Sequence, residues 1–125
     1  MHWSDPYVGM EYADDGLNCA ALAEQVAAEV LGQAVSLPGK HQKTPFGRNT
    51  QISARKEQFA EKVPEPVDGH PVLLLARGRL QHIGVMCWIG REWWVLHADE
   101  GFGEVVRQRL RSLSGYEVEG FYQWK

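Results

Sequence analysis

The feature that most constrains this chain is a change of period partway along it. Residues 19 to 31 repeat with helical spacing, whereas from Val72 onward the apolar residues fall in short runs cut by Gly78, Gly90, Gly101, Gly103 and Gly115. Helical spacing puts Cys19, Ala23, Val26 and Val30 on one face, and Glu24, Gln25, Ala28 and Glu29 on the other. Asn18 stands where an N-cap belongs, Leu17 and Leu22 have the spacing of a hydrophobic staple, and Gly32 stands where a helix stops. The later runs read as strands: Val72 to Arg77, Leu80 to Ile89, Glu92 to His97, Glu104 to Leu110 and Val118 to Trp124. Their short connections make neighbours antiparallel, so the expected fold class is α+β, one helix covering a sheet of about five strands.

Between these regions the polar stretch from Gln33 to Thr50, punctuated by Pro38, Gly39, Pro45 and Gly47, reads as a long connection. Residues 51 to 62 read as a short helix with Ile52 and Phe59 inward, ended by Pro64-Glu65-Pro66. At 125 residues and 44% hydrophobic content, the chain is expected to form one domain spanning 1 to 125. Thirteen basic and sixteen acidic residues are interspersed, for a formal charge of -3, which argues against a nucleic-acid partner. No stretch approaches the roughly 20 apolar residues of a membrane span, and the opening residues do not read as an export leader. Two cysteines, at 19 and 87, make a poor disulfide framework and suggest a reducing compartment during synthesis.

Cys19 opens the helix, where unpaired N–H groups and the positive end of the dipole stabilise a thiolate. The same position continues an apolar stripe, so plain burial is the competing reading. An attacking thiol needs an imidazole to carry its proton, with a third group to orient the ring. An even-numbered loop at Gly90-Arg91 sets His82 opposite His97 or Asp99, and either register leaves both histidines on one face of the sheet. Cys87, five residues beyond His82, points to the other face and reads as core. A zinc site using Cys19, Cys87, His82 and His97 is disfavoured by that geometry and by the lack of paired ligand spacing, so no metal or other cofactor is expected. His2, His41 and His70 fall in the terminus or in loops and are expected to be solvated; Trp88, Trp93 and Trp94 read as sheet packing.

Three segments together resemble the NlpC-type papain-like cysteine peptidases of bacterial cell-wall turnover: Tyr7-Val8-Gly9-Met10-Glu11-Tyr12, Gly16-Leu17-Asn18-Cys19-Ala20-Ala21-Leu22, and His82-Ile83-Gly84-Val85 leading to Leu96-His97-Ala98. Where the family commonly has Asp-Cys-Ser-Gly, this chain has Asn18-Cys19-Ala20-Ala21, and His70 stands where an Asp is usual. The resemblance implies a papain-like fold, with Cys19 as nucleophile, His82 as base, His97 as its orienter, and Tyr12 near the substrate. It implies a peptidoglycan stem peptide as substrate, cut at the γ-D-glutamyl to diamino acid linkage. The closing Glu119-Gly120-Phe121-Tyr122-Gln123-Trp124 looks like the bacteriophage-tail subgroup, which implies neighbouring tail-tip proteins and delivery to the cell wall by the virion. Two other readings stay open: a mainly structural tail-tip protein with a masked or vestigial site, and thiol chemistry on a different amide or acyl substrate.

Overall fold

The computed structural model describes residues 2–35, 60–76 and 79–125. A single 3-10 turn, Asp5–Tyr7, precedes helix α1, Cys19–Val30. Six strands follow: β1 Ala60–Val63, β2 Pro71–Ala76, β3 Arg79–Ile89, β4 Glu92–Asp99, β5 Glu104–Arg109 and β6 Glu117–Trp124, with a second 3-10 turn, Leu110–Ser112, after β5. They form one antiparallel sheet in the order β1-β6-β2-β3-β4-β5, so the architecture is α+β with one α-helix among the described residues.

The helix starts where the sequence says it should. Asn18 is extended, its side-chain oxygen accepts the Ala21 N–H at 2.9 Å, and its amide donates to the Asp14 carbonyl at 3.0 Å. One residue therefore satisfies an orphan helix donor and ties down the preceding loop. At the other end Gly32 takes φ +69°, and the Gln33 N–H turns back to the Ala27 carbonyl.

The sheet is covered on both faces. Cys19, Ala20, Leu22, Ala23, Val26 and Ala27 of α1 bury in a cluster with Leu73, Ile83, Val85, Cys87, Leu96 and Ala98. Alternate residues of the same strands, Val72, Leu74, Met86 and Val95, form a second cluster under Trp93, Leu110, Leu113, Tyr116 and Phe121. A side chain at Gly84 has no room between these strands, since a Cβ there would sit 2.7 Å from a Val95 methyl and 3.2 Å from one of Val72. The β3–β4 hairpin closes through Gly90 and Arg91, both at positive φ (58° and 65°), the two-residue turn whose twist matches the strands. Residues 9–12 run along the open side of β5: the Gly9 N–H bonds to the Val105 carbonyl, the Val105 N–H to Met10, and the Tyr12 N–H to Gly103.

Three expectations change. The sheet has six strands rather than about five. The helix read over 51 to 62 is wrong in its described part: Ala60, Glu61 and Lys62 belong to β1 and pair with Trp124, Gln123 and Tyr122. The apolar stripe there is too thin to hold a helix on a core, whereas pairing with β6 satisfies the backbone directly. Residues 51–59 lie outside the described residues, as does all but the start of the 33–50 connection. His70 is buried, not solvated, and its Nδ1 accepts the Trp124 N–H at 3.2 Å. Trp88, although 45% exposed, lies on the Trp93 ring opposite it at 4.9 Å, the sheet packing expected of it.

The double role of Asn18 gives the first prediction. Asn18→Ala is expected to lower unfolding free energy by about 1 kcal/mol, within the 0.5–2 kcal/mol range of lost caps, as read from urea denaturation. An unchanged midpoint would show that the helix start does not depend on this side chain.

Candidate functional site

The β3–β4 ladder ends at Val85 opposite Leu96, and alternation beyond that pair puts His82, His97 and Asp99 on the face of Met86 and Val95. His82, His97 and Asp99 thereby share a face, and the rings of the two histidines meet: His82 Nε2 and His97 Nδ1 are 2.8 Å apart, with the rings nearly perpendicular. Both histidines are buried, His97 completely. Tyr116, in the turn before β6, stacks on His82 at 4.8 Å and donates its hydroxyl to Asp99 Oδ2 at 3.0 Å. The other Asp99 oxygen accepts the Gly101 N–H at 2.7 Å.

On the far side of His97, Nε2 lies 2.7 Å from the side-chain oxygen of Gln108 on β5. An amide oxygen only accepts, so His97 Nε2 carries the proton. Burial holds the His97 pKa below its ordinary value, against opposing pulls from Gln108 and Asp99, which keeps the ring neutral near pH 7. A neutral ring protonated at Nε2 presents a lone pair at Nδ1. His82 Nε2 must then donate to it, so that in a neutral His82 ring the lone pair lies on Nδ1. The cluster is a directed chain of hydrogen bonds, from His82 to His97 to Gln108.

Cys19 is the first residue of α1 and is buried at 2% exposure. Its core cluster includes Ile83 and Ala98, the chain neighbours of His82 and His97, and strand alternation turns both histidines to the opposite face, that of Leu74, Met86 and Val95, so the sheet lies between them and the helix. A second tie runs through the backbone. Tyr12, in the loop before the helix, bonds to the Gly103 carbonyl, and the Gly103 N–H returns to the Asp99 carbonyl at 2.9 Å. The Tyr12 hydroxyl donates to Asp14 at 2.8 Å, the residue whose carbonyl receives the Asn18 side chain. Cys87, by contrast, lies in the core, where burial pushes its thiol up to about 12 and makes it a poor nucleophile.

His82, His97 and Asp99 also form a set whose donor atoms lie within 4.8 Å of one another, the spacing of possible metal ligands. Two imidazole nitrogens bound to one tetrahedral zinc stand roughly 3.3 Å apart, given Zn–N bonds of about 2.0–2.1 Å. The 2.8 Å separation here is that of two nitrogens sharing a proton, so a cation could enter only by breaking that hydrogen bond.

Gln108 and Tyr116 are the residues that sequence reading missed. Gln108 lies between Arg107 and Arg109 and reads as an ordinary solvated strand position. Tyr116 follows a glycine turn and has no periodic partner. Compared with protein families, with curated proteins and with solved structures, the chain matches none.

The buried histidines predict an acid-sensitive fold. His70 and His97 both have folded-state pKa values lowered by burial from 6.5, so at mildly acidic pH the unfolded chain binds more protons than the folded one. The stability they permit is fully present above about 6.5, and is lost as pH falls through that value toward their folded pKa values. The urea midpoint is expected to drop between pH 7 and pH 5, and to drop less in His97→Gln. Parallel profiles for the two proteins would contradict the burial account.

Proposed function

We propose that this protein is a cysteine hydrolase of the NlpC type, with a papain-like arrangement in which Cys19 is the nucleophile, His82 the base and His97 its orienter. The observation that supports this reading is the hydrogen-bonded His82–His97 pair, with the basic nitrogen of His82 turned away from His97, in a fold where a cysteine opens an α-helix that packs on the other face of the same strands. Because His82 Nε2 is engaged by His97, the chemistry runs through His82 Nδ1.

The first step requires the Cys19 thiol, which packs on the opposite face of the sheet, to reach His82 Nδ1 and give it its proton; the sulfur then adds to the amide carbonyl carbon. The resulting oxyanion is met by the Cys19 N–H at the helix start, where the dipole is positive. Tyr12 joins as a donor when its hydroxyl exchanges Asp14 for the substrate; in the structure it holds the loop in place. Collapse of the intermediate breaks the C–N bond, and His82 returns the proton to the departing amine. Water, deprotonated by His82, then hydrolyses the thioester and releases the thiol. His97, neutral and hydrogen-bonded, holds the ring and its tautomer throughout.

The substrate of this reading is a peptidoglycan stem peptide, and the setting a phage tail that carries the domain to the cell wall. Both come from the motifs around Cys19, His82 and His97 and from the closing segment Glu119 to Trp124. A second reading has support in burial: within the chain itself Cys19 and His82 are only 2% and 6% exposed, which suits a vestigial site in a mainly structural protein.

Purified peptidoglycan incubated with the protein is expected to release new peptide ends, seen by mass spectrometry. Cys19→Ala is expected to reduce that release by at least roughly 10³-fold, the scale of losing a nucleophile. Equal release by the variant would sink the mechanism. No release by either folded protein would favour the vestigial, structural reading.

A further inference from the structure

We propose that Gln108 is a positioning residue whose side-chain oxygen sets the proton positions of both histidines, and so selects Nδ1 as the basic nitrogen of His82. Its consequence for catalysis rests on the cysteine-hydrolase reading; the proton positions themselves do not.

Two groups compete to decide where the proton sits on His97. Gln108 Oε1, 2.7 Å from Nε2, draws it to that nitrogen. Asp99 Oδ2, 3.8 Å from Nδ1, draws it to the other. The Asp99 carboxylate is already engaged by the Tyr116 hydroxyl and the Gly101 N–H, and its distance to His97 is beyond a hydrogen bond, so Gln108 prevails. With Gln108 in place the order is His82 Nε2–H to His97 Nδ1, then His97 Nε2–H to Gln108. Without it His97 Nε2 has lost its acceptor, and the proton moves to Nδ1, where His82 Nε2 lies 2.8 Å away and the Asp99 charge favours it. That Nδ1–H can then donate to His82 Nε2, and His82 must carry its own proton on Nδ1. The base would be switched off with no atom of His82, His97 or Cys19 removed.

Three features favour a single, stable arrangement. His97 is fully buried, so water does not compete for its nitrogens. Tyr116 lies nearly parallel to the His82 ring, at 15°, which restrains its rotation. Gln108 is held on β5 by the pairing of that strand with β4, where it sits opposite Val95, two residues from His97. The oxygen is thus presented by the sheet itself rather than by a loop.

The test uses the whole chain, labelled with ¹⁵N, and long-range proton–nitrogen correlation of the imidazole rings at pH 7. The expected result is that His82 and His97 both carry the proton on Nε2 and the lone pair on Nδ1. In Gln108→Glu, whose carboxylate also accepts, the same tautomers are expected. In Gln108→Leu both rings are expected to move their protons to Nδ1, and muropeptide release to fall in kcat on the order of 10²- to 10⁴-fold, the scale of presenting a wrong tautomer. A proton on His82 Nδ1 in the unmutated protein overturns the proposal, as do unchanged tautomers in Gln108→Leu. The expected tautomer shift with no muropeptide release by any of the proteins would uphold the role of Gln108 and remove the hydrolase reading.

Discussion

The pairing of β3 with β4 is the constraint on which the rest of the molecule depends. Val85 opposite Leu96, closed by the turn at Gly90 and Arg91, fixes which face of two central strands each side chain joins. A slip of one residue would exchange the faces: Ile83, Val85 and Cys87 would leave the helix, and His82 would lose His97. The two clusters resist such a slip together, because each has its own set of buried apolar residues on alternate positions of the same strands. Gly84 adds a steric lock, since the gap between the Val72 and Val95 side chains admits no Cβ.

Within this frame a polar cluster is buried without being left unsatisfied. His82, His97 and Gln108 hydrogen-bond in series, and Asp99 is met by Tyr116 and the Gly101 N–H. Each added partner lessens the cost of removing imidazole and carboxylate from water, and the low local dielectric strengthens the bonds that remain. The same burial biases His97 toward its neutral form, the state in which proton positions carry information. Structure and chemistry therefore draw on one arrangement: satisfying the buried groups also gives the chain a direction.

The helix is tied to that cluster from outside. Tyr12, Asp14 and Asn18 link the loop before Cys19 to the helix start, and the Tyr12 backbone bonds to the Gly103 loop, which folds back on Asp99. The nucleophile proposed at the head of α1 and the histidines on β3 and β4 thus belong to one connected hydrogen-bonded framework, although they lie on opposite faces of the sheet. Among the described residues no helix is long and apolar enough to cross a membrane.

The sequence by itself determined the local elements and their faces. Asn18 and Gly32 marked the ends of α1, glycines marked the strand breaks, and the even turn at Gly90-Arg91 placed His82 and His97 on one face and Cys87 on the other. These follow from short-range periodicity and from backbone preferences of single residues, which a chain carries wherever it packs. Tertiary structure alone decided the rest. It made Ala60 to Val63 a strand, because β6 offered an edge to pair with. It buried His70, because the end of β6 lies across it. It chose Tyr116 and Gln108 as further partners of the histidine pair. Those contacts join β4, β5 and the turn before β6 across the sheet, and no spacing along the chain records which strands will become neighbours.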